Sequence, residues 1–230
     1  HSWLSFTARY DQLFGSDGGG AGFRGSHSSC AAGLVIQHGN ALASMVLAGQ
    51  PGGDEKEAEM LQQSLQELVL HEVGHALGLA HNFRASQVFS PDEHYDAEKT
   101  RSQGLRGSVM DYSAANLAPP GREQGMYFQI MPGPYDHWAI EYGYSEALAD
   151  PVAEERRLSA ILARSTEAQL LFGNDADDMR APGAGIDPTI MIFDGSSDAI
   201  RYADDRMGVL DEARTGLLEK YRQPGKSYAE

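Results

Sequence analysis

Basic residues are scarce in this chain, cysteine is nearly absent, and long apolar runs are missing. Lys and Arg number 18 against 33 Asp and Glu, a net charge of −15 with a pI near 4.8. Phosphate binding needs clustered cations, so this balance argues against nucleic acid and anionic membrane surfaces as partners. An acidic surface suits solubility, and also calcium. The single cysteine, Cys30, rules out an intramolecular disulfide. In Ser-His-Ser-Ser-Cys-Ala-Ala it reads as a small buried hydrophobe, with a metal-blocking thiolate of a latent form as the alternative. No stretch of 18 apolar residues exists, so nothing spans a bilayer. No signal peptide is present, but the chain opens at His1 without a methionine. We therefore read it as an excised piece of a larger precursor, whose missing signal says nothing about localisation.

What the chain does contain is one core's worth of material. Its 230 residues with 41% hydrophobic content predict a single domain of two lobes, 1–81 and 82–230. The stretch His71-Glu-Val-Gly-His-Ala-Leu-Gly-Leu-Ala-His81 organises it. On a helix, residues four apart share a face, so His71 and His75 can both reach one zinc ion at roughly 2.0–2.1 Å. Glu72 sits on a neighbouring face, where its carboxylate can reach a water on the metal without ligating the metal. Gly78 permits a positive φ, which ends the helix and lets His81 approach from another direction. Three protein ligands leave a fourth position open, the mark of a catalytic rather than a structural zinc. One catalytic zinc ion is therefore expected.

Along the chain, Leu4, Phe6, Ala8 and Tyr10 alternate with polar residues and predict a strand, and Asp17 to Gly25 reads as a glycine-rich loop. Ala32–Gln37 and Ala41–Leu47 are short apolar runs separated by His-Gly-Asn, a turn signal, and predict two more strands of a small sheet. Asp54-Glu-Lys-Glu57 looks like a capping box that starts a helix running to about Leu77. Its apolar residues Leu61, Leu65, Leu68, Val69, Val73, Ala76 and Leu77 predict a buried stripe. Glycines, Pro91 and polar residues leave little room for regular structure after His81. Further helices are predicted over Asp136–Tyr142, residues 151–165 and Ser197–Arg222, the last packing through Ile200, Ala203, Met207, Leu210, Leu217 and Leu218. Asn174–Asp178 lacks the glutamate of a calcium loop and reads as a solvated acidic turn; structural calcium stays open but unsupported. His1, His27, His38, His94 and His137 show no paired spacing and read as surface or satisfied histidines.

His-Glu-x-x-His-x-x-Gly-x-x-His followed by Ser108-Val-Met-Asp-Tyr112 resembles the metzincin metallopeptidases. Met110, 29 residues after His81, matches their methionine turn, a packing floor beneath the histidines and not a ligand. The resemblance implies an α+β fold: a small twisted sheet over the active-site helix, then a mostly helical, loop-rich C-terminal lobe. It implies a zinc endopeptidase acting on peptides or proteins, with Glu72 as general base. By that resemblance, the irregular segment bounded by Pro119-Pro-Gly and Met131-Pro-Gly-Pro134 would wrap the pocket for the residue after the scissile bond. Tyr112, two residues after Met110, resembles the tyrosine of the astacin and serralysin subgroups that donates to the oxyanion; packing below the site is the alternative. Asn82-Phe83, Tyr135–Tyr144 and Phe172–Asp178 are similar to the bacterial Met-zincins, which implies a secreted or envelope-associated setting. A silent zinc-bearing scaffold and a hydrolase of non-peptide amides remain the rival readings.

Overall fold

The computed structural model describes residues 32–178, 187–221 and Gly225. The predicted strand at Leu4–Tyr10, the loop at Asp17–Gly25, Cys30, His1 and His27 lie outside the described residues. Two helices form the frame: α1, Ala32–Leu47, and α2, Gly53–Ala76, joined by a short turn and packed on each other. Short helices α3, Pro91–His94, and α4, Ala97–Gln103, follow, then α5, Pro134–Tyr144, α6, Pro151–Leu162, and α7, Ala199–Tyr221. No helix among the described residues is long and apolar enough to cross a membrane.

The expected α+β architecture is overturned: among the described residues there is no strand and no sheet. The two strands predicted at Ala32–Gln37 and Ala41–Leu47 are the single helix α1. Ile36, Ala43, Val46 and Leu47 recur at helical spacing and are buried in the main core with Met60, Leu117, Tyr127, Phe128 and Val209. The turn signal between them runs through as helix. A mid-helix glycine costs about 1 kcal/mol relative to alanine, but Asn40 beside it donates from Nδ2 to Ser64 Oγ at 2.9 Å and ties α1 to α2. Polar side chains that would favour a turn in isolation here hold two helices together.

Helix α2 departs from expectation at its start and on its face. It begins at Gly53 behind Gly52, whose φ is 67°, and no side chain caps it, so the Asp54 capping box does not form. Most of its apolar stripe points outward: Leu65 and Val69 are 63% and 61% exposed, and among the described residues only Leu68 of the predicted set packs on the core clusters. The buried face instead carries Met60, Gln63, Ser64, Glu67, His71 and Gly74. The reason lies in what packs there. Segments 104–118 and 125–130 are irregular, so their backbone N–H groups need acceptors that a sheet would otherwise supply. Gln63 Oε1 accepts from Tyr127 N and Phe128 N. Glu67 accepts from Gln129 N, from Ser113 Oγ and from the buried Arg106 guanidinium at 3.1 Å.

Regular structure also appears where loop was expected, because Ser90 and Glu93 form a capping box for α3 and Asp96 caps α4. Helix α7 lies where predicted but packs through Tyr202 and Val209, while Ile200 and Met207 are exposed.

Candidate metal centre

Helix α2 ends at Ala76, one residue after His75, in a Schellman turn, with Gly78 N donating to His75 O at 2.9 Å and Leu79 N to Gly74 O at 3.0 Å. Gly78 sits at φ 87°, a conformation that a side chain would strain. The turn does two things for the histidines. It reverses the chain so that His81 comes back against His71 and His75, and it presents the Leu79 carbonyl to His75.

Each of the three rings is held by its Nδ1. His71 Nδ1 is 2.8 Å from Val109 O, His75 Nδ1 is 3.0 Å from Leu79 O, and His81 Nδ1 is 2.8 Å from Asp175 Oδ2. All three partners are acceptors only, so each Nδ1 carries the proton and each Nε2 carries the lone pair. The ligand atoms of His71, His75 and His81 lie within 4.8 Å of one another. His75 Nε2 and His81 Nε2 are 3.1 Å apart. Two lone pairs at that distance repel unless a cation lies between them, and two nitrogens about 2.05 Å from one tetrahedral ion would be about 3.3 Å apart. The donor set and its geometry therefore fit a zinc ion. No other group of three such side chains converges among the described residues.

The electrostatics agree. Burial is the largest influence on His71 and brings its pKa down to about 4. Burial also lowers His81, against the opposing pull of Asp175. Neutral rings are the form a metal needs. Glu72 is exposed, and its charge is felt by both His71 and His81. With His71 and His81 buried, the centre faces solvent on the side of His75 and Glu72.

Met110 is fully buried against Gly74, between the two helical histidines in sequence, where any Cβ would collide with the Met110 sulfur. The turn that carries it is pinned by a carboxylate. Asp136 accepts from Ser108 Oγ at 2.5 Å, Val109 N at 2.9 Å and Gly133 N at 2.8 Å, and Met110 O accepts from Asn82 N at 2.9 Å. Tyr112 packs its ring 4.7 Å from that of His81 and 5.5 Å from that of His71, in a small cluster with Phe83, Ile190 and Ile192. His94 and His137 stay apart from the centre. His94 is buried against Tyr95 and Tyr202, and burial drives its pKa to about 3.

Sequence reasoning named the three histidines but missed Asp136, the Val109 carbonyl and Asp175. Asn174–Asp178 is not simply a solvated turn: Asp178 is buried, and Asp175 reaches His81. No spacing rule links residues 94 positions apart, so no signal for that contact existed.

A helix with two histidines, a turn that returns a third, and a buried methionine packed on the glycine between the first two define a zincin-type centre. The sequence profile of one family, Met-zincin, matches residues 53–230, from the first residue of α2 to the end of the chain. The chain belongs to the Met-zincin family. No curated protein and no solved structure matches it.

Proposed function

We propose that the chain is the catalytic unit of a zinc-dependent endopeptidase, in which His71, His75 and His81 hold one zinc ion and Glu72 is the general base. The observation that carries this reading is the convergence of three lone-pair nitrogens beside an exposed carboxylate. Zinc, when bound, polarises a carbonyl and makes water acidic enough to react near neutral pH. The chain's own residues do the rest. The Nδ1 hydrogen bonds keep every ring in the tautomer that offers Nε2. Glu72, about 100° round the helix from His71, accepts the proton of the attacking water and returns it to the leaving amine. Met110 fills the space below and supports the rings by packing alone.

Glu72→Ala tests the assignment because it removes the base and leaves the ligands. The variant should retain one zinc per chain by metal analysis and lose on the order of 10²–10⁴ in the rate of peptide cleavage. Cleavage at the wild-type rate would sink the mechanism. A zinc-loaded wild type that cleaves nothing in a diverse peptide library would favour the scaffold or the non-peptide hydrolase.

A further inference from the structure

The three ring acceptors are not alike. Those of His71 and His75 are backbone carbonyls, from Val109 and Leu79. His81 is held by an ionisable side chain, with both Asp175 oxygens within reach, at 2.8 and 3.0 Å. Asp175 is delivered there by a clamp built on the ligand's own neighbours. Asn82, fully buried, donates from Nδ2 to Leu171 O at 3.1 Å and accepts from Gly173 N at 3.2 Å. Phe83 N donates to Gly173 O at 2.8 Å. The Asn174 side chain then caps the turn, accepting from Ala176 N at 2.9 Å, which leaves Asp175 facing His81. Segment 171–175 is thus stitched to residues 82–83 at three points before its carboxylate meets the ring.

We propose that Asp175 is a positioning residue of the centre, fixing His81 as the Nδ1–H tautomer and turning Nε2 toward the metal, and that Asn82 is the clamp that carries it there. This rests on the zinc reading above. A carboxylate behind a ligating imidazole makes the ring a better electron donor and restricts its rotation. The same contact contributes little as a plain ion pair, because the Asp175 side chain is 45% exposed and half-exposed pairs are screened by water. The two roles therefore separate: loss of Asp175 should cost metal affinity and little stability. The residues that follow the third histidine also acquire a function, since Asn82 is the fastening of the segment that orients that histidine.

The test compares wild type, Asp175→Ala, Asp175→Asn and the control Asp177→Asn. Zinc affinity is measured by competition with a chromophoric chelator, and the melting temperature of each metal-free protein is measured alongside. Asp175→Ala should weaken zinc binding about 10–100-fold with the metal-free melting temperature unchanged. Asp175→Asn should recover part of that loss, since its amide oxygen still accepts from Nδ1. Asp177→Asn should bind as wild type does. Nitrogen NMR of His81 in the metal-free protein should show the protonated Nδ1 in wild type and a mixture of tautomers in Asp175→Ala, a change that a structural role would not produce. Wild-type affinity in Asp175→Ala, or an affinity loss matched by a fallen melting temperature, would overturn the proposal. A wild type that binds no zinc would overturn the zinc reading itself, and this proposal with it, before any variant is compared.

Discussion

Gly74 stands between the two helical histidines, and its missing side chain is the space the Met110 sulfur occupies. Gly74→Ala should therefore destabilise the protein by about 1–3 kcal/mol, the usual cost of overpacking. Met110→Leu alone conserves volume and should cost less than about 1.5 kcal/mol with zinc retained. Urea unfolding of the two single variants and the double variant measures their coupling, and strictly additive costs would show that the two residues do not meet. Tyr112 poses a different question at the same scale, because its ring packs on two of the histidines. Tyr112→Phe removes only the hydroxyl. If that hydroxyl donates to the developing oxyanion, kcat should fall about 10²-fold with KM nearly constant. Equal kcat in the two proteins would assign the tyrosine to packing. At this scale the meeting of the three histidines and the positive φ of Gly78 were readable in advance, because the distance between side chains on one helix and its turn is set by local geometry. Asp136 and Asp175 were not, since their partners come from other parts of the chain.

Helix α2 shows how an element can be foreseen and its orientation misjudged. Its extent agrees with the pattern, yet Leu61, Leu65, Val69 and Val73 face out while Gln63, Ser64 and Glu67 face in. Hydrophobic periodicity marks which residues share a face; it does not say what lies against that face. Here the neighbours are irregular backbone and a guanidinium, so a polar face is the one that satisfies them. Burial raises the Glu67 carboxyl, opposed first by the Arg106 charge. Arg106→Met would leave that carboxylate without its cation and should destabilise the fold by about 3–5 kcal/mol, read as a lower urea midpoint. A loss under about 1 kcal/mol would mean that Glu67 is held by its remaining donors alone. Helix α1 makes the complementary point: two apolar runs and a turn signal read as strands until Asn40 is seen to bond Ser64 across a helix pair.

For the molecule as a whole, acid groups buried beside Arg106 link stability to pH. Burial pushes Asp194 up to about 7. Burial also raises Asp111, against Arg106 and with the help of the Asp194 charge. An unfolded aspartate titrates near about 3.9. Between that value and about 7 the native state holds a proton that the unfolded chain has lost, so this contribution is full below about pH 4 and gone above about pH 7. Stability from Asp194 should thus decline as pH rises through that window. Asp194→Asn should remove its share of the decline, gaining on wild type between about pH 5 and 7.5 in urea midpoint. Parallel midpoints across that range would remove Asp194 from the account.

Taken by itself, the sequence determined that three histidines on one helix and its terminal turn can meet at one point. These relations are local, and backbone geometry dictates them once the helix forms. The tertiary structure alone decided that residues 32–47 are one helix, that α2 buries its polar side, that Asp136 pins the segment whose Val109 carbonyl meets His71, and that Asp175 meets His81. Those outcomes depend on which distant groups need a hydrogen-bond partner, and no local pattern carries that information.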